Sequence, residues 1–149
     1  MRSRQLPVSE IELQRAAAFR SALRRFLART DEAAGAAGLT SQRYDLLLAI
    51  MSGPGRTSTM TELSTRLSLR QTAVTELVKR AEEAGLVART TSTADGRVSV
   101  LALTAEGEQR LMHAFVGLRE ERRQLAEAMS VVGSSFRAFV QSQQGESRR

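Results

Sequence analysis

At 149 residues the chain can bury a core as one domain; with 42% hydrophobic residues, 4% aromatics and no Trp, that core must be aliphatic. The lack of Cys excludes disulfides, thiolate metal sites and thiol redox sensing, and a single histidine, His113, excludes a multi-histidine metal site. A net charge of +6, with Arg far outnumbering Lys, favours a polyanionic partner, although many soluble proteins carry as much charge without one.

No apolar run approaches the roughly 20 residues that span a bilayer, and the opening MRSRQLPVSE lacks the apolar stretch of a signal peptide. The expectation is a cytoplasmic protein with no membrane partner and no cofactor.

Residues 1–8 read as a loose arm. Ser9 and Glu12 stand at capping-box spacing, so a helix is expected from Glu10. Ile11, Phe19, Leu23, Phe26 and Leu27 recur along it at helical spacing, among Arg15, Arg20, Arg24, Arg25 and Arg29. Those arginines form either a solvated face or a flank that touches phosphates. The helix should fade between Asp31 and Gly38, where two glycines weaken an Ala-rich run.

Thr40 can cap a second helix whose Tyr44, Leu47, Leu48 and Met51 face inward, and Ser52-Gly53-Pro54-Gly55 ends it. Thr59 and Glu62 repeat the capping-box spacing and open a short helix that buries Leu63 and Leu67. Ser68 and Leu69 make a turn, and Arg70 to Ala84 forms the next helix, stopped by Gly85 where a left-handed residue is wanted. In that helix Val74, Leu77, Val78 and Ala81 share a face. The opposite face carries Gln71, Thr72, Thr75, Glu76 and Lys79, with Arg70 at its start. Such side chains suit a major groove, which displays donors, acceptors and thymine methyls. An ordinary solvated helix face would look the same, so the order of the following elements matters.

Leu86 to Thr91 reads as a strand, Ser92 to Arg97 as a turn containing Asp95-Gly96, and Val98 to Leu103 as the returning strand. A hairpin directly behind a helix-turn-helix is a wing. Its tip offers Arg97 to a minor groove, whose negative potential attracts arginine when narrow. Thr104 caps a long helix, Ala105 to Met129, with Leu111, Leu118 and Leu125 seven apart, Phe115 and Met129 extending the stripe and Arg122 interrupting it. That heptad stripe calls for a partner helix. A break is expected at Ser130 to Ser134, then a segment with Val132, Phe136, Phe139 and Val140 on one side and a frayed polar tail.

The runs GLTSQRYDLLLAI, ELSTRLSLRQTAVTELVKRAEEAGLVAR and DGRVSVLALTAEGEQRL resemble the MarR family of bacterial transcriptional regulators over about residues 39–111. The most specific pieces are Glu62-Leu63 with Leu67, the spacing to Gly85-Leu86-Val87 and Arg89, and Asp95-x-Arg97 before Leu103-Thr104-x-x-Gly107. The resemblance implies a homodimer on a pseudo-palindromic operator, with the first and last two helices building the dimer interface. It also implies a recognition helix at Arg70 to Ala84, a minor-groove Arg97, and release by a small aromatic or anionic effector. One departure stands out: the family's wing tip is commonly Asp-Arg-Arg, whereas here Gly96 stands between Asp95 and Arg97.

The expected fold is therefore mainly α with a small β-hairpin, one domain of 1–149. Its winged helix-turn-helix lobe spans 40–104, and its dimerisation helices span 9–38 and 105–142. The expected function is sequence-specific binding of double-stranded DNA as a ligand-responsive repressor. Gln71, Thr72, Thr75 and Glu76 would meet base edges, Arg70 and Lys79 phosphates, and Arg97 the minor groove, with Asp95 orienting an arginine of the wing. Phe19, Leu23, Tyr44, Leu48 and Phe115, with His113 or an Arg as a polar handle, either line an effector cleft or are simply core. The competing reading is a winged-helix protein-interaction module without sequence-specific DNA binding. An enzyme is not expected, because no His/Asp/Ser pattern converges and SGPGR lacks the Lys-Ser/Thr of a phosphate-cradling loop.

Overall fold

The computed structural model describes residues 8–91 and 96–146, with side chains as far as residue 134. Six helices and three short strands follow in the order α1 (Glu10–Ala36), α2 (Ser41–Met51), β1 (Thr57–Ser58), α3 (Met60–Leu67), α4 (Gln71–Glu83), β2 (Val87–Thr91), β3 (Ser99–Leu103), α5 (Ala105–Gly117) and α6 (Arg119–Glu146). Two compact units result: Thr30–Leu118 form one, and the chain up to Arg29 with that from Arg119 onward forms the other. The division falls inside α1 and after α5, so the lobe is wider than the 40–104 read from the sequence.

Local chemistry sets most helix starts. The hydroxyls of Thr40 and Thr104 accept from the amides of Arg43 and Gly107, at 3.2 and 3.1 Å. Each satisfies a first-turn amide that has no partner within its own helix. Ser9 and Glu12 close a capping box at the start of α1, the Ser9 amide donating to the carboxylate at 2.7 Å. Gly85 takes φ +70°, the left-handed geometry that ends α4 at low steric cost.

The lobe is built around α2, which packs on α3, α4, α5, β1 and β3. Its Leu46, Leu47 and Ile50 are fully buried with Leu63 of α3, Val74, Val78 and Ala81 of α4, and Leu86, Leu101, Leu111 and Leu118. The sheet is antiparallel with order β1-β3-β2, pairing Ser58 with Leu101 and Val87 with Leu103. Strand β1, absent from the sequence reading, is only two residues long and so shows no alternation. It is pinned by Arg66, whose guanidinium donates to the Ala49 carbonyl at 2.9 Å and the buried Ser58 hydroxyl at 2.5 Å. Gly53 makes that approach feasible, since a Cβ there would lie 2.0 Å from the Thr57 carbonyl oxygen.

The C-terminal helices differ from expectation. The break comes at Leu118, not at Ser130 to Ser134, through which α6 runs on. Gly117 weakens helical propensity, and Leu118 leaves the helical path with its side chain 1% exposed in the lobe core. Gly133 alone, without a proline, does not stop α6. The heptad stripe is divided by the same event: Leu111 and Leu118 are core of their own lobe, and Leu125 is half-buried on α6. Two of its three leucines are thus satisfied within one chain, so the stripe is not a free seam for a partner helix. The side chains of Phe136, Phe139 and Val140 lie outside those described.

Candidate nucleic-acid interface

The exposed surface of α4 is positioned by what lies beneath it. Helix α3 opens on Thr59, whose amide donates to the Glu62 carboxylate at 2.7 Å while the Glu62 amide donates back to the Thr59 hydroxyl at 3.3 Å. The amide of Thr59 holds the Glu62 carboxyl below the usual carboxylate range. The turn to α4 is tight: Ser68 sits at φ 53°, the Leu69 amide donates to the Ser64 carbonyl at 3.1 Å, and the Ser64 hydroxyl donates to the Leu69 carbonyl at 2.6 Å. Leu63 on one helix and Val74, Val78 and Ala81 on the other are completely buried, which fixes the rotation of α4 about its axis.

With that rotation set, Gln71, Thr72, Thr75, Glu76, Lys79 and Arg80 are all exposed, as is Arg70 at the N-cap. The Thr75 hydroxyl donates to the Gln71 carbonyl at 2.9 Å, which leaves its oxygen able to accept. By the 100° step of a helix, Thr72, Glu76 and Lys79 occupy the middle of the exposed face. Thr75 and Glu82 lie at one edge, and Arg80 with Leu77 at the other. At the first edge Glu82 meets Arg89 of β2, 2.9 Å away, which ties the wing to α4. At the second edge Leu77 and Arg80 border a pocket shared with Thr40, Ser41, Gln42 and Arg43.

The cations of the lobe divide by partner. Arg56 pairs with Glu108 at 3.3 Å, Arg89 with Glu82, and Arg110 with Glu106 at 2.6 Å, while Arg66 is spent on Ala49 and Ser58. Among the described residues, Arg43, Arg70, Lys79 and Arg80 have no acidic partner within 4 Å. All four lie on α4, at its N-cap, or in the first turn of α2. Four cations without an acidic partner therefore gather around the exposed face of α4, against the two exposed acids of that face, Glu76 and Glu83, and a polyanion would supply the missing partner.

At the wing, Arg97 is exposed in the turn before β3 and Asp95 lies outside the described residues. A Cβ at Gly96 would meet no described atom within 4 Å, so steric crowding gives no reason for glycine there. The six residues of the sequence-derived effector cleft are divided: Phe19 and Leu23 are half-buried in the flanking unit. Tyr44 belongs to the lobe core, Leu48 and Phe115 pack against it, and His113 is exposed. The flanking unit holds an open cavity of about 520 Å³ lined by Ala22, Arg25, Phe26 and Arg29 of α1 and by Glu121 and Leu125 of α6, among others. There Arg29 lies 3.6 Å from one Glu121 oxygen, while the other is buried without a hydrogen bond. Sequence periodicity cannot reveal this cavity, nor Arg43 and Arg80 as neighbours, because each depends on two helices meeting. No described helix is long and apolar enough to cross a membrane, and no metal-binding cluster occurs among the described residues.

Comparison with known proteins places this geometry. The family model for MarR matches residues 37–98. No curated protein matches the chain. Among solved structures, AbsC, a MarR family transcriptional regulator from Streptomyces coelicolor, superposes with a TM-score of 0.68 at 18% identity, covering 95% of this chain and 99% of its own. Sco3205 from the same organism, a MarR family transcriptional regulator in complex with DNA, gives 0.65 at 23% identity, covering 91% and 89%. A mutant of MarR from E. coli complexed with operator DNA gives 0.64 at 17% identity, covering 83% and 91%.

Proposed function

We propose that this chain, whose lobe is similar to MarR-family winged helices, is a cytoplasmic, sequence-specific DNA-binding transcription regulator that acts as a homodimer on a pseudo-palindromic operator. The observation that carries this reading is the gathering of unpartnered cations around the exposed, hydrogen-bonding face of α4. Solved proteins of the same fold are bound to DNA, which agrees with it.

In the proposed complex α4 enters the major groove. Gln71, Thr72, Thr75 and Glu76 meet base edges, with the Thr75 methyl suited to a thymine methyl and Glu76 to a cytosine amino group. Arg70 and Lys79 take phosphates, Arg97 enters the minor groove, and Asp95 orients an arginine of the wing. Two protomers would set their recognition helices roughly 34–36 Å apart, on half-sites about 10 bp apart. Pairing is supported by apolar side chains that the single chain leaves uncovered: Ile11, Leu27, Val116, Met129 and Val131 are each more than half exposed. Repression relieved by a small aromatic or anionic effector completes the proposal. Such a ligand must prefer a dimer geometry that no longer matches the groove spacing.

The test is binding of the purified protein to duplex DNA from upstream of its own gene and to a shuffled duplex, across a salt series. Tight, sequence-preferring binding by two protomers per site, weakening steeply with salt, is expected. Weak and equal binding of both duplexes would overturn the proposal in favour of a protein-interaction module.

A further inference from the structure

The proposed contacts leave two of the four unpartnered cations, Arg43 and Arg80, without a task. They come from different helices and border the same pocket, about 380 Å³ in volume, with Thr40, Ser41, Gln42 and Leu77. Neither guanidinium has an acidic partner among the described residues, although acids stand close to this turn of α2. Asp31 accepts a hydrogen bond from the Ser41 hydroxyl, and Asp45 lies one turn further along. Burial, and then the charge of Asp31, raise the Asp45 carboxyl above its usual range. Two guanidiniums that border one pocket without an acidic partner favour an anion there.

The surrounding donors suit an oxyanion. Of the first amides of α2, that of Arg43 donates to the Thr40 hydroxyl and that of Tyr44 to the Thr40 carbonyl, which leaves those of Ser41 and Gln42 without an acceptor within the helix. Leu77 gives the pocket one apolar side, and Arg80 offers the planar fork that matches phosphate oxygens. The pocket's position selects the anion. It lies along the edge of α4 opposite the wing, whereas Glu82 and Arg89 mark the wing edge. A helix lying in a major groove has a phosphate strand beside each edge. The wing serves one strand, and this pocket stands where the other would pass.

We propose that Arg43 and Arg80 form a seat for a DNA backbone phosphate on the flank of α4 away from the wing. The inference rests on the DNA-binding reading above and adds to it a contact that sets the depth and register of α4 without reading sequence. Losing the seat should therefore weaken binding to every duplex alike.

The experiment compares the full chain with the double variant Arg43→Gln/Arg80→Gln, with Arg80→Lys, and with Arg56→Gln as a control on a cation that already has a partner. Thermal unfolding of each without DNA checks that these solvent-facing changes leave the fold intact. Affinity for the upstream and shuffled duplexes is then measured from low to high salt. The double variant should lose about 10-fold or more on both duplexes. Its plot of log affinity against log salt should be shallower by about 0.9 for each seat lost, while the preference between duplexes is kept. Arg80→Lys should keep the salt slope, and Arg56→Gln should match the wild type. If the wild type binds DNA and the double variant shows the same affinity and slope, the seat is overturned and the DNA-binding reading stands. If the wild type binds no duplex, both fall together. A parallel titration with inorganic phosphate distinguishes the anion source: thermal protection of the wild type but not the double variant, with unchanged DNA slopes, would replace the backbone phosphate by a free anion.

Discussion

Every buried residue among those described lies between Thr30 and Leu118. Within that span Leu46, Leu47, Ile50, Leu63, Val74 and Val78 are sealed by neighbours from the same chain. In the flanking unit the described side chains of α6, from Arg119 to Ser134, include no buried position, and Ile11, Leu27, Met129 and Val131 are 52–58% exposed. Both regions are rich in well-formed helix with capping and i,i+4 ion pairs. They differ in whether the amphipathic faces find a partner inside one chain. Helical stability in proteins comes chiefly from such burial, so the lobe seals its apolar faces within one chain while the described flanking helices leave several apolar side chains exposed.

The same substitution in the two regions should separate them most. Leu111 and Leu125 belong to one heptad stripe, but only Leu111 is fully buried. Leu111→Ala should cost about 2–5 kcal/mol in denaturant unfolding. Leu125→Ala should cost less than about 1 kcal/mol when the protein is dilute enough for protomers to be apart. Equal losses would mean that the flanks are as self-sufficient as the lobe.

Glycines sharpen the contrast. An alanine at helical Gly35 would meet nothing within 4 Å, whereas one at Gly107 would put its Cβ 2.0 Å from the Leu86 carbonyl oxygen. Gly35→Ala should raise stability by up to about 1 kcal/mol. Gly107→Ala should lower it by about 1–3 kcal/mol in spite of the same gain in propensity. A rise in melting temperature for Gly107→Ala would show that the Leu86 backbone, just before β2, does not crowd α5.

The two capping boxes provide a smaller test. Thr59→Ala should cost about 1 kcal/mol of global stability. Ser9→Ala should fray only the start of α1, seen as faster amide exchange there with no change in the global transition. Glu12 and Glu62 are both held below the usual carboxylate range by backbone amides. Their stabilisation should be complete above the unfolded value, about 4.3, and disappear as pH falls through the lower folded value.

The smallest effect is expected at Asp45, whose carboxyl is raised by burial and by Asp31. A raised carboxyl means that the folded state binds the proton more tightly, so ionisation costs stability as pH rises through the folded value. Asp45→Asn should then raise the melting temperature at pH 7 and bring little gain below about pH 4. An equal gain at both pH values would assign the effect to packing instead.

Features that depend on a few consecutive residues were legible in the sequence by itself. The hydroxyls at Thr40, Thr59 and Thr104, the left-handed Gly85 and the apolar face of α4 are local, since capping and helical period act over three or four residues. The order helix, turn, helix, hairpin followed from them. Tertiary structure decided the rest, because it depends on which elements meet. A two-residue β1 exists only because β3 and Arg66 hold it. The helix breaks at Leu118 because that side chain gains more from the lobe core than from continuing the heptad. Which of the lobe's described arginines remain without an acid, and so gather around α4, depended on where Glu82, Glu106 and Glu108 came to rest. Ion pairing acts through space, at distances that the chain sets only by folding.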